Sequence, residues 1–444
     1  MGKIASAYKA YFVVAIAVAL LCLALSYWPL RIFPFRSPAS VPNLSDRYFQ
    51  GSYHDVAIPP EATDQYSLAN YRLWIPGGVS ELRGLIVKQH GCGDINATGL
   101  THANDLQWQA LAVKHQFALL GTQLHADGQP CEYWALINYG SGNAFFKALH
   151  KLAKDSQHPE LEKIPWVLWG HSGGADWTAQ MLQQYPEKTL AMVGVRGGGF
   201  LFFGYNPTLS EIPVLFTAGK NDPYAHETLQ LPKDVFFRYR KNNAPWTFAV
   251  EADAAHETGD TRSLAIPYLD TILTAQQSKI GNSTLPLANI QEVWLGDLIT
   301  HTVAPAEQYP GNKLEAVWLP DKTSAIKWQQ YVSSGKIEPI EKPQVPVNVR
   351  ISKTQSSQAI LTWDYTPDLE NGLPSFHIYR NNKLVTDVKG QGYDSGDAPQ
   401  PMELKLSYTD KNPQVDVTYV VAAFNTLGEN AADPIRLPPE NFGK

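Results

Sequence analysis

Positive charge is not in excess in this chain. Its 444 residues carry 36 Lys and Arg against 42 Asp and Glu, a formal net charge of −6. No basic field is therefore available to hold nucleic acid, and that class of function is excluded. The histidines lack the paired spacing of metal ligands, so no metal site is expected. A glycine run at Gly197-Gly198-Gly199 is followed by Phe200; with no Lys-Ser or Lys-Thr after it, it is not a phosphate-binding loop. No cofactor is expected. Cysteine is scarce, with Cys22, Cys92 and Cys131 alone. What is present, 44% hydrophobic against 18% charged residues, is the balance of a globular protein, neither disordered nor wholly membrane-embedded. Twelve Trp and 21 Tyr point to aromatic-rich cores.

One segment does not belong to such a core. From Ala10 to Trp28 there is no charged residue, with Lys3 and Lys9 before it and Tyr27 and Trp28 closing it. It is long enough to span a bilayer and reads either as a retained anchor or as the apolar region of a cleaved signal peptide, over residues 1–30. Both readings put the rest of the chain outside the cytoplasm, membrane-anchored or secreted. Residues 31–48, with Pro34, Pro38 and Pro42, read as a proline-rich spacer. In an exported chain Cys92 and Cys131 are a candidate disulfide pair; two unrelated buried thiols are the alternative.

From about 49 to 280, apolar strand-like runs alternate with amphipathic stretches. Strands are expected at Leu85–Lys88, Phe117–Thr122, Ile164–Trp169, Leu190–Val195, Val214–Ala218 and Trp246–Ala252, and helices over Thr101–His115, Ala144–Asp155, Trp177–Tyr185 and Thr261–Gln276. Such alternation argues for an α/β fold, a mostly parallel sheet covered on both faces. Residues 281–342 lose the rhythm and read as a wrapping extension with a short helix at Thr323–Val332. Past Pro343–Pro346 the period switches to two, in Ala359–Tyr365, Ser375–Tyr379, Lys383–Val385 and Val417–Phe424. This is a β-sandwich signature over residues 343–440. Pro343, Pro346 and Val349, Trp363 in the second strand, and Tyr419 ahead of Ala423, Asn425 and Gly428 resemble a fibronectin type III domain.

Gly170-His171-Ser172-Gly173-Gly174 follows a strand and opens a helix. A serine on so sharp a turn is pushed out of the sheet, and only glycines let the flanking backbone approach it. Ser172 is the expected nucleophile. A carboxylate and a histidine should follow in that chain order. Asp222 ends the strand run begun at Pro213, and His256 follows the next strand from Phe248. Asp222 would orient the imidazole, and His256 would take the serine proton. Glu251 and Asp253 are rival acids too near His256 in the chain to face its ring; His125 and His226 are rival bases. An oxyanion hole needs two inward backbone N–H groups. One is expected from Gly173, the other from Gly91 or Cys92 in His90-Gly91-Cys92-Gly93, which follows the Leu85 strand. Arg196 to Phe200 is expected to border the site or to form a flexible turn, and Trp134 and Trp177 to pack in the core or line the pocket.

These residues resemble the α/β-hydrolase superfamily over about 50–280. Within it they look like the polyhydroxybutyrate depolymerase and feruloyl or acetyl-xylan esterase branch, which carries an H-G-C loop and a later C-x-W segment. Here these read His90-Gly91-Cys92 and Cys131-Glu132-Tyr133-Trp134. The resemblance implies a Cys92–Cys131 disulfide clamping the oxyanion loop, and an ester substrate, small or polymeric. The elbow departs from the branch in having His171 where a small residue is usual. The leading expectation is a serine esterase; a peptidase or amidase with the same residues, or a non-catalytic adhesion protein, are the alternatives.

Overall fold

The computed structural model describes residues 51–93, 99–127, 132–199, 202, 204–276, 292–353, 358–389, 406–414 and 416–437. All lie within one unit, Pro42–Lys444. The Ala10–Trp28 segment, the proline spacer up to residue 48, Cys22 and Cys131 fall outside the described residues. Among the described residues no helix is long and apolar enough to cross a membrane.

Eight strands form the central sheet: β1 (Gly51–Ala57), β2 (Leu68–Pro76), β3 (Gly84–Gln89), β4 (Phe117–His125), β5 (Trp166–His171), β6 (Thr189–Val195), β7 (Val214–Gly219) and β8 (Trp246–Glu251). They run in the order β1-β2-β4-β3-β5-β6-β7-β8. The β1–β2 and β2–β4 pairs are antiparallel, and every pair from β4 to β8 is parallel. Every residue of β3, β5, β6 and β7 is buried, because helices cover both faces of parallel strands and leave no solvent side for alternation. Those runs were legible for the same reason. The expected strand list omits β1 and β2. β1 lies at the sheet edge and buries only Val56, so it offers no apolar run.

The covering helices are α1 (Leu106–His115), α2 (Ser141–Ser156), α3 (Gly173–Gln184), α4 (Leu231–Arg240) and α5 (Thr261–Gln276). The helix expected from Thr101 starts later. Asp105 caps α1, accepting from the N–H groups of Gln107 (3.1 Å) and Trp108 (3.2 Å), and Gly99–Asn104 before it is a separate 3-10 turn. An aspartate that satisfies the first free N–H groups makes a boundary that periodicity cannot see. Helix α4 was not expected; its start is marked by Pro232 at the first turn.

Residues 292–342 pack on the β8 edge. They contain a small antiparallel sheet, β9 (Trp294–Gly296), β10 (Val303–Pro305) and β11 (Val317–Leu319), and then α6 (Lys322–Ser334). The three short strands had no counterpart in the sequence reading; three residues cannot display a period. Trp328 of α6 is fully buried and donates its indole N–H to the carbonyl of Phe248 in β8 (2.9 Å). Trp318, Trp328 and Tyr331 thereby join the hydrophobic core of the central sheet.

The C-terminal strands form two antiparallel sheets. One is β12 (Val347–Lys353), β13 (Ala359–Asp364) and β16 (Ser407–Asp410). The other is β15 (Lys383–Val388), β14 (Ser375–Arg380), β17 (Thr418–Asn425) and β18 (Gly428–Ala431), with β19 (Ile435–Arg436) on β17. Their inward residues, among them Leu361, Trp363, Phe376, Ile378, Tyr419 and Val421, form a core of their own. Strand β13 alternates buried and half-buried positions along its length, the period-two pattern of a strand with one covered face.

Candidate active site

The end of β5 fixes the first functional side chain. Ser172 links β5 to α3 with φ 53° and ψ −123°, a region that costs a non-glycine residue about 1–3 kcal/mol and persists only where its surroundings enforce it. They do so here on three sides. The Ser172 N–H donates to the carbonyl of Val195 (2.8 Å). A Cβ at Gly170 would run into the Gly174 carbonyl, and one at Gly174 into the carbonyls of His90 and Gln89. Both glycines of the elbow are thus required by close backbone approach. Gly174→Ala is expected to lower kcat about 100-fold, because the neighbours it strikes are main chain and must move by a sizeable fraction of an ångström. Steady-state kinetics on the folded variant check this; a rate within threefold of wild type would show that the backbone yields without disturbing Ser172.

The other two side chains come from the ends of β7 and β8. Asp222 follows β7, its side chain fully buried, and His256 lies on the loop after β8, about a quarter exposed. The His256 Nδ1–H donates to Asp222 Oδ2 at 2.9 Å, and Nε2 lies 2.9 Å from Ser172 Oγ. A carboxylate only accepts, so Nδ1 carries the proton and the Nε2 lone pair faces the serine hydroxyl. The second oxygen of Asp222 accepts from the N–H of Tyr224 (2.9 Å). Burial opposes ionisation of Asp222, but the bonds from His256 and Tyr224 outweigh it and hold the carboxyl below its ordinary range.

Asp222 therefore stays ionised above the ordinary carboxylate range. The acid limb of kcat/KM is expected to have unit slope, with no second proton lost by Asp222. A slope approaching two in the logarithmic pH profile would show that Asp222 must also lose its proton.

Asp222, not Glu251 or Asp253, faces the His256 ring. Glu251 pairs with the buried guanidinium of Arg196 and accepts from Tyr331 Oη (2.9 Å). His125 is buried beside His90, ring centroids 5.7 Å apart, and His226 begins a π-helical turn after Asp222. Trp177 is buried, donating to Ser141 Oγ (3.2 Å). Trp134 packs its ring 5.0 Å from that of His90. Both therefore belong to the packing around the site.

The segment His90-Gly91-Cys92 leaves β3 next to the elbow, since Gln89 pairs with Gly170. His90 is pinned: Leu124 N–H donates to its Nε2 (2.9 Å), which leaves Nδ1–H to donate to the Gly91 carbonyl (2.5 Å). Gly91 is buried and Cys92 half-buried. Cys131, the other half of the expected pair, lies outside the described residues. Gly173 is the first residue of α3, so its N–H belongs to the positive end of a helix. Arg196 borders the site: with φ 53° it turns the chain so that Gly197 packs on the Ser172 carbonyl. Gly198 N–H donates to Asp176 Oδ1 (3.0 Å), which ties this turn to α3. Phe200 lies outside the described residues. Among the described residues no group of His, Cys, Asp and Glu is placed to hold a metal ion.

A parallel-rich eight-stranded sheet, with a strained serine after β5 and acid and histidine on loops after β7 and β8, matches an α/β-hydrolase. No protein-family model matches the chain, and no curated protein does. Among solved structures it is similar to a ferulic acid esterase (12% identity, 51% of this chain and 99% of that one, TM-score 0.40). It is also similar to a thermostable esterase (17%, 47% and 56%, TM-score 0.35) and to an S-formylglutathione hydrolase, FrmB, from Staphylococcus aureus (13%, 53% and 98%, TM-score 0.33). Likenesses of this size decide nothing about the reaction, which is read from the side chains themselves.

Proposed function

We propose that this chain is a serine hydrolase that cleaves a carboxylic ester through an acyl-enzyme on Ser172. One observation carries the reading: a continuous relay from Ser172 Oγ through His256 to Asp222, both contacts at 2.9 Å, around a serine held in a strained elbow. In the reaction Ser172 Oγ attacks the ester carbonyl while His256 Nε2 takes its proton. The tetrahedral oxyanion is held by backbone N–H groups of Gly173 and of Gly91 or Cys92. The carbon–oxygen bond to the alcohol then breaks, and His256 returns the proton to the leaving oxygen. Water, deprotonated by the same imidazole, attacks the acyl carbon, the bond to Ser172 Oγ breaks, and His256 returns the proton to that oxygen as the acid leaves.

Further parts of the reading complete it. Cys131 is the disulfide partner of Cys92 and staples the oxyanion loop to the segment carrying Trp134. The apolar N-terminus exports the chain or anchors it in a membrane. The C-terminal sandwich is a fibronectin type III-like module that serves as spacer or scaffold next to the 49–280 catalytic region.

The test is fluorophosphonate labelling of the purified chain, with Ser172→Ala as control, followed by short-chain nitrophenyl esters against aminoacyl-anilides. Serine-dependent labelling with ester turnover is expected. Labelling with turnover of anilides alone would replace the esterase by a peptidase or amidase, and absence of labelling would leave a non-catalytic adhesion protein.

A further inference from the structure

His256 does not sit on a strand or helix. It rides on residues 252–260, between the end of β8 and the start of α5, and a loop has no regular ladder to hold a side chain within the fraction of an ångström that proton transfer needs. Two buried side chains outside the relay grip this loop at consecutive peptide groups. His171 Nε2–H donates to the carbonyl of His256 itself (2.8 Å), and Arg196 Nε–H donates to the carbonyl of Glu257 (3.0 Å). A carbonyl only accepts, so His171 carries its proton on Nε2. The two residues stand at the ends of neighbouring strands, where His171 pairs with Val195, so both grips come from the rigid sheet.

Arg196 is itself held. Its guanidinium pairs with Glu251 and donates to Tyr331 Oη (3.3 Å), all three side chains being buried. Burial alone would disfavour the charge, but Tyr331 and Glu251 outweigh it and keep Arg196 protonated. Glu251 also closes the loop from below: its Oε1 accepts from the N–H of Asp260 (2.8 Å), and a Cβ at Gly259 would strike its carboxylate. Tyr331 belongs to α6 and exchanges a hydrogen bond with Thr261, the first residue of α5 (2.9 Å). Ile337 N–H, just past α6, donates to Asp260 Oδ2 (2.8 Å).

We propose that His171 and Arg196 are positioning residues for His256, holding its loop by two successive carbonyls, and that Tyr331 makes the 292–342 segment part of that device. The proposal rests on the reading of Ser172 and His256 as the reacting pair. A small side chain at 171 could not reach the His256 carbonyl.

The experiment uses the full chain and reads kcat and KM on a nitrophenyl ester together with the rate of fluorophosphonate labelling and the melting temperature. His171→Met, similar in size but without a donor, is expected to lower kcat and the labelling rate about tenfold or more with KM within twofold. His171→Gln, whose amide N–H reaches the position of Nε2, recovers most of that loss, which a merely space-filling role would not produce. Tyr331→Phe is expected to lower kcat about threefold at unchanged KM, since Arg196 keeps Glu251 but loses its second anchor. Wild-type kcat in folded His171→Met, or equal losses in the Met and Gln variants, overturns the proposal. If His171→Met fails to fold, Tyr331→Phe decides, and wild-type kcat there overturns it. Failure of the wild-type chain to label is a different result, removing the catalytic reading on which the positioning role stands.

Discussion

Ser172→Ala is expected to lower kcat by ~10⁶-fold, and His256→Ala by about the same factor. The reason lies in the 2.9 Å contact between Ser172 Oγ and His256 Nε2. A serine hydroxyl is a weak nucleophile until its proton has somewhere to go, and the imidazole has nothing to activate once the hydroxyl is gone. The two act as one unit, so the double variant is expected to be no worse than either single one. What survives is the contribution of substrate binding and backbone N–H donors, about 10³–10⁴ over water. Single-turnover measurement of the three variants on one ester checks this. A Ser172→Ala protein that kept a tenth of the wild-type rate would mean that another group performs the reaction.

Asp222→Asn is expected to cost ~10⁴ in kcat while leaving the fold in place. Asp222 uses its two oxygens differently, Oδ1 accepting from Tyr224 N–H and Oδ2 from His256 Nδ1–H, each at 2.9 Å. An asparagine that keeps its oxygen towards Tyr224 must turn its NH₂ towards the imidazole. Nδ1 then becomes the acceptor, the proton moves to Nε2, and the lone pair that received the serine proton is lost. Hydrolysis of a nitrophenyl ester by the variant, with its pH profile, measures the effect; a loss under tenfold would show that orientation of His256 does not depend on this carboxylate. The same substitution changes acid stability with a definite sign. Because the folded-state pKa of Asp222 is depressed, its contribution is present above the ordinary carboxylate range and disappears as pH falls through the folded value. The asparagine protein is expected to lack that part of the acid decline in melting temperature.

How legible the molecule was in its sequence depended on the range of the forces involved. The buried parallel strands announced themselves because both faces are covered: β3, β5, β6 and β7 are apolar runs with turn residues around them. The edge strand β1 and the three-residue strands β9 to β11 carry no comparable signal, since edge exposure or shortness removes it; β2, paired on both sides, interleaves Asn70 and Arg72 with its buried residues and so shows no apolar run. The start of α1 moved to Leu106 because Asp105 caps it, an interaction of one side chain with two amides that no period records.

The site divides along the same line. Ser172 is legible because glycines at 170 and 174 are forced by contacts within the elbow and with the adjacent strand end. Asp222 and His256 are legible as polar residues at the ends of consecutive apolar strands in the order that a hydrolase sheet demands. The roles of His171, Arg196, Glu251 and Tyr331 around the loop of His256 had no sequence signal. Arg196 and Tyr331 are 135 residues apart, and nothing local requires either to meet the other.

By itself, then, the order of residues determined which segments become buried strands, where the chain must turn sharply, and which side chains stand at the strand ends, because these follow from burial and backbone sterics over a few residues. Only the tertiary structure decided that Glu251 is neutralised by Arg196, that His171 and Arg196 meet the carbonyls of the His256 loop, and that α6 reaches back to that loop through Tyr331. Those choices depend on which buried charges and carbonyls come within hydrogen-bonding distance once the sheet is assembled, and desolvation leaves a buried group no alternative but the partner the fold brings to it.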